Sequence, residues 1–137
     1  MEIKGKNIDE IQVGEEISVS REVPMNQTLH YAEASGDWNP LHQDDDFARA
    51  MGYEGKIVHG LCTMAYCTTL FTDWAKDPMR LKRLKVRFSE PLYPGDTITI
   101  RAKATKREKD IVTFDFEVEN QEGSKVITKG EAKVSLK

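Results

Sequence analysis

The stretch that decides the fold is Gly60–Trp74, GLCTMAYCTTLFTDW. Leu61, Met64 or Ala65, Thr68, Phe71 and the following Ala75 recur at helical spacing. Cys62, Tyr66, Leu70 and Trp74 give the same helix a second apolar side. A helix apolar almost all round has to be buried on nearly all sides, and only something that wraps it can do that. The downstream half of the chain supplies the wrapping. Residues Leu84–Phe88, Thr97–Ala104, Ile111–Glu119 and Lys125–Leu136 all alternate apolar and polar. Ile98, Ile100, Ala102 and Ala104 share one face, as do Val112, Phe114, Phe116 and Val118, and then Ala132, Val134 and Leu136. Pro94-Gly95, Lys109-Asp110 and Glu122-Gly123 mark turns. Connections this short make the strands antiparallel neighbours. The expectation is a single α+β domain over residues 1–137, a curled antiparallel sheet wrapped around one long central helix.

Upstream, Asn7–Gly14 reads as a lead-in loop and Glu16–Val23 as a strand that Pro24 ends. Asn26 or Thr28 can cap a short helix with Leu29, Tyr31 and Ala32 on its inner side, stopped by Gly36. Asp44 or Asp45 can cap a second one through Phe47, Ala48 and Met51, stopped by Gly52. Hydrophobic and charged fractions of 39% and 31% fit a globular protein and argue against disorder. A net charge of -3 provides no basic field for nucleic acid or an anionic membrane. The start, MEIKGKNIDE, has no apolar signal region, and the longest uncharged run, Ile57–Thr72, is too short and polar to span a bilayer. On a helix Cys62 and Cys67 point about 140° apart and cannot pair with each other. Buried free thiols in a reducing cytoplasm are expected.

The chemistry concentrates between the short helices and the long one. In SGDWNPLHQ, Asp37 and His42 flank an Asn39-Pro40 turn, and the chain returns at His59-Gly60. Taken singly, Asp37 would cap a turn and His42 would pack beneath it. Together, in a loop stiffened by Pro40, an acid and an imidazole can hold and polarise one water. No serine or cysteine sits in a nucleophile-elbow context, so covalent catalysis has weaker support. His42, Asp44, Asp45, Asp46 and His59 are metal-ligand types, but their spacing matches no common zinc motif. Three adjacent aspartates suit the start of a helix, so no metal is assigned. Gly60 opens the long helix, leaving its N–H and that of Leu61 as free donors at the helix start. Such donors can stabilise a thioester carbonyl as it becomes an enolate. The plain alternative is a helix start with glycine for close packing. His59 reads as a neighbour that bonds the loop and shapes the entrance.

SGDWNPLHQDDDFARAMGYEGKIVHG closely resembles the hydratase motif of the MaoC-like (R)-specific enoyl-thioester hydratases, which have the hotdog fold. The resemblance covers nearly the whole chain. It implies Asp37 and His42 as catalytic dyad, Gly60 N–H as donor to the thioester carbonyl, and Asn39 as support for the loop. HGLCTMAY, TDWAKDP and VRF look especially like the catalytic subunit of heterodimeric (3R)-hydroxyacyl-thioester dehydratases. Thr68 stands where some members carry a serine close to the dyad. The activity that the resemblance implies is that of a hydro-lyase interconverting trans-2-enoyl and (R)-3-hydroxyacyl thioesters of CoA or acyl carrier protein, with no redox or metal cofactor. His59, Leu61 and Thr68 join Asn39 as expected substrate-side residues. Hotdog domains pair edge to edge, so a dimer is expected, homodimeric or with a related subunit. A hotdog thioesterase and a non-catalytic acyl-thioester-binding subunit are the alternatives.

Overall fold

The computed structural model describes residues 2–137. Among them five strands, β1 (Glu16–Glu22), β2 (Leu81–Phe88), β3 (Thr97–Glu108), β4 (Ile111–Glu119) and β5 (Lys125–Ser135), form one sheet in the order β1-β3-β4-β5-β2. All pairings are antiparallel. Helices α1 (Gln27–Ser35), α2 (Asp45–Ala50) and α3 (Gly60–Ala75) accompany it. The sheet curls around α3, the hotdog arrangement that the resemblance implies.

The alternation places Ile98, Ile100, Ala102 and Ala104 of β3, and Val112, Phe114, Phe116 and Val118 of β4, on the buried face. Against them α3 sets Cys62, Thr63, Tyr66, Cys67, Leu70, Phe71, Trp74 and Ala75. Phe71 meets Phe114 and Phe116 with ring centroids 5.5 and 5.3 Å apart, and Trp74 stands edge-on to Phe114 at 5.2 Å. Burying a side chain of this size is worth about 3 kcal/mol, so this aromatic cluster anchors the helix in the sheet. The Trp74 indole N–H is satisfied by the Lys6 carbonyl at 2.9 Å, which ties the lead-in segment to the helix's far end. No helix among the described residues is long and apolar enough to cross a membrane.

The structure corrects five expectations. β2 does not neighbour β3: it pairs with β5 at the far edge, while β3 pairs with β1. Length alone does not settle the pairing, since residues 89–96 cross from the last strand position to the second. β2 and β3 run longer than their alternation, because register shifts at Leu81/Arg83, Lys85/Arg87 and Ala104/Lys106 break the two-residue period. In α1 the buried line is Thr28 and Ala32, four residues apart, with Leu29 one residue round the helix and 44% exposed. In α2 only Ala48 is buried, while Phe47 and Met51 face outward. Most consequential for function, α3 is not covered all round. Leu61 is 65% exposed, Ala65 is exposed, and Met64 and Thr68 are half-buried, so one apolar stripe stays open.

Candidate active site

Asn39 starts the site. Its side-chain oxygen accepts from Leu41 N–H at 3.0 Å and caps a 3₁₀ turn over Pro40–His42. Proline at the first position of that turn fixes the backbone and needs no donor there. Asp37 lies on the exposed loop before it, its N–H donating to Ser35 Oγ at 3.1 Å and its Oδ1 accepting from Asn39 N–H at 3.2 Å. His42, at the end of the turn, points inward and is buried. Its Nδ1–H donates to the Ile57 carbonyl at 2.7 Å. A carbonyl only accepts, so this bond fixes the tautomer and leaves Nε2 as the nitrogen free to take a proton.

His59 comes in from the other side as the residue preceding α3. Its ring stacks on His42 with centroids 3.9 Å apart and planes 24° from parallel. Its Nε2–H donates to the Asp37 main-chain carbonyl at 3.0 Å. Burial holds His59 below the ordinary histidine range, against the opposing effect of that hydrogen bond. One ligand-type atom each from Asp37, His42 and His59 lies within 4.8 Å of the others. Two hydrogen bonds of about 2.8 Å to one water oxygen span a little under 5 Å, so a single water can touch carboxylate and imidazole together. The same three groups are a two-histidine, one-carboxylate set that a divalent ion could also use. Asp44, Asp45 and Asp46 are occupied elsewhere. Asp44 caps α2 through Asp46 N–H and Phe47 N–H, Asp45 accepts from Lys56 N–H, and Asp46 pairs with Arg49.

The hydrogen bonds of α3 begin with Cys62 N–H to the His59 carbonyl at 3.0 Å, so Gly60 and Leu61 N–H precede the ladder. Gly60 is exposed, and a Cβ there would sit 3.3 Å from the Phe88 ring. Beside it lies a pocket of 280 Å³ lined by His42, Gly60, Thr63 and Phe88, with Val58, Leu92 and Val126 as an apolar wall. Larger hollows exist, up to 580 Å³, on the outer sheet face, but charged residues such as Lys82, Lys106 and Lys133 line them and their linings hold no histidine. Volume is therefore a poor guide here; the acid–imidazole pair marks the site.

Asp37, His42, His59 and Gly60 thus come together, and Asn39 shapes the turn that carries two of them. Thr68 and Leu61 are not in the pocket lining. The Thr68 hydroxyl donates to the Met64 carbonyl within α3, and the Leu61 side chain lies on the open stripe. Three participants were not singled out from the sequence. The Ile57 carbonyl orients His42, and Tyr31 packs on His59 with centroids 4.6 Å apart. Thr63, buried, lines the pocket, and its hydroxyl donates to the His59 carbonyl at 3.4 Å. The HG pair at the start of α3 could have pointed to Thr63, one turn further on; nothing local marks Ile57 or Tyr31.

The mouse peroxisomal multifunctional enzyme type 2 is 47% identical over 78 residues, which are 54% of this chain and 10% of that protein. A Dictyostelium discoideum protein named probable enoyl-CoA hydratase 2 is 37% identical over 111 residues, 78% of this chain and 36% of that one. The chain therefore spans only about a third or less of these relatives' length. The solved structure of an (R)-hydratase from A. caviae involved in PHA biosynthesis superposes with a TM-score of 0.82 at 28% identity, covering 93% of this chain and 98% of that one. With a MaoC-like domain matched across residues 8–129, the chain belongs to the MaoC-like family.

Proposed function

We propose that this protein adds water to trans-2-enoyl thioesters and removes it from (R)-3-hydroxyacyl thioesters. The observation that carries the reading is the Asp37 carboxylate and the His42 imidazole lying within 4.8 Å of each other beside a pocket that opens at the N-terminus of α3. Asp37 and His42 hold one water between them. Its oxygen adds to C3 of the enoyl group while a proton passes to C2 through the dyad, and the reverse step returns both. His42 Nε2 is free for this because Nδ1 is engaged. Negative charge gathers on the thioester oxygen as C3 is attacked, and Gly60 N–H, a donor that precedes the helix ladder, stabilises it. No metal or redox group takes part in these steps. Similarity to proteins named hydratases supports the same reaction class.

The substrate carries CoA or acyl carrier protein as its handle. The protein works as a dimer, most simply of two copies, with a related hotdog subunit as the other option. Support comes from the open stripe of α3 beside the edge strand β2. Two free buried thiols, with burial pushing Cys67 up to about 12, favour a reducing cytoplasm.

Incubation of the purified protein with crotonyl-CoA tests the reading. Enoyl absorbance should fall without release of free thiol, and the product should be the (R)-3-hydroxyacyl thioester. Dialysis against a strong chelator should leave the rate intact. Free thiol in step with substrate loss would make the protein a thioesterase, and binding without turnover would make it an acyl-thioester-binding subunit.

A further inference from the structure

His59 is only 2% exposed, yet three of its contacts reach groups that the proposed hydration needs. Its face stacks on His42 at 3.9 Å, its Nε2–H holds the Asp37 carbonyl at 3.0 Å, and its own backbone leads into Gly60. Its Nδ1 is buried without a hydrogen-bond partner among the described residues. Packing alone does not explain that orphan. A phenyl ring would stack equally well and leave no buried acceptor unpaired, whereas an amide would donate to Asp37 but could not stack. Imidazole offers a flat face and an N–H donor at once in a ring small enough for this space.

We infer that, in the reaction proposed above, His59 is a positioning residue: an imidazole that sets the His42 ring plane, the Asp37 main chain and the first N–H groups of α3 as one rigid unit. The titratable groups facing it are Asp37 and His42 from the loop and Tyr31 from α1. Burial lowers its pKa below the ordinary histidine value. A proton on His42 is then less opposed by its stacked neighbour, 3.9 Å away, because burial disfavours charge on that ring. Misplacing a catalytic group by about 1 Å can cost about 10²-fold in rate, which is what this unit prevents.

The chain has 3 histidines, His30, His42 and His59, so nitrogen-15 labelling of histidine resolves each ring by NMR. In the wild type neutral His59 should be the Nε2–H tautomer and neutral His42 the Nδ1–H tautomer, as their hydrogen bonds to main-chain carbonyls require. His59→Phe keeps the stacking face and loses the donor; His59→Gln does the reverse. Each should lower kcat about 10²-fold with KM within about threefold, and each should change the His42 tautomer signal. The inference fails if neutral His59 is the Nδ1–H tautomer, or if either folded variant keeps kcat within about threefold. It also fails if kcat falls while the His42 signals stay those of the wild type, because the loss would then not pass through that ring. The tautomers need no turnover. A wild type that hydrates no enoyl thioester would sink the proposed reaction, while the spectra would still judge the arrangement of the rings.

Discussion

Residue 37 sits in solvent and residue 42 is buried, and this asymmetry makes the pair testable without unfolding the protein. Asp37→Asn keeps the loop's size and an oxygen for Asn39 N–H while removing the base. His42→Ala removes the imidazole. Each should lower kcat/KM by about 10²–10⁴, the range for a positioned acid or base, with the circular dichroism unchanged. The double variant should be little worse than the poorer single one, since one water serves both groups; additive losses would mean that the two residues act on different steps. His59 gives a separate, stability-based test. Its pKa is lowered in the folded state from 6.5, chiefly by burial. Below that value the unfolded chain binds a proton that the folded one refuses, so the folded state loses ground. The stabilisation is therefore present above about pH 6.5 and lost as pH falls toward the lowered folded value. Tm should drop more steeply between about pH 7 and 5 in the wild type than in His59→Gln, and parallel curves would mean that His59 titrates normally. Asp37 and His42 were legible in the sequence because they share one short, proline-stiffened turn. Tyr31 and the Ile57 carbonyl were not, because the topology, not the spacing, brings them to the rings.

Among the elements, α3 and the three consecutive strands β3, β4 and β5 could be read from periodicity, because each strand alternates over a long enough run: Thr97–Ala104 in β3, Ile111–Val118 in β4 and Gly130–Val134 in β5. The position of β2 could not. Its pairing with β5 rests on a crossover that the intervening turn residues do not encode, and two register shifts blur its alternation. Gly130 was equally silent in the sequence: it lies opposite Phe116 on β4, and a Cβ there would come within 2.7 Å of that ring and of its carbonyl oxygen. Gly130→Ala should therefore cost about 1–3 kcal/mol in urea unfolding, the usual range for overpacking, and a neutral result would show that Phe116 can turn aside. Gly60 poses the opposite problem, since its proposed role is chemical. At the first position of α3 proline is tolerated and deletes one hydrogen. Gly60→Pro should lose about 10²–10³ in kcat if that N–H holds the enolate. Gly60→Ala keeps the donor but presses on Phe88, which is 51% exposed and free to shift by the few tenths of an ångström required. The alanine variant should lose much less. Equal losses in both would shift the explanation to steric fit, and an active proline variant would remove Gly60 from the mechanism.

For the molecule as a whole, the expectation of an all-round buried helix was half right, and the exposed half is informative. Leu61, Met64, Ala65 and Thr68 follow one another at helical spacing along the uncovered side of α3. A stripe this apolar was indistinguishable from core in the sequence, because periodicity reports that a face is buried but not whether its cover belongs to the same chain. The sheet edges differ in the same sense. Main-chain bonds from Lys4 N–H to Ser18 carbonyl at 2.8 Å and from Ser18 N–H to Lys4 carbonyl at 2.9 Å cover part of β1, whereas β2 pairs with β5 and forms the opposite edge. An edge strand beside an uncovered apolar helix face is where a second protomer would dock, extending the sheet and closing over both stripes. Ala65→Glu tests this with a side chain that a lone protomer tolerates, since Ala65 is exposed there. The wild type should sediment at twice 15.6 kDa, and the variant should fall to the single-chain mass with its helix and sheet signal kept. Its hydratase rate should fall with dissociation if the acyl chain runs between the paired helices. A wild type that is monomeric and fully active would overturn the dimer. One that is monomeric and inactive until a related hotdog chain is added would instead assign the open face to a different subunit.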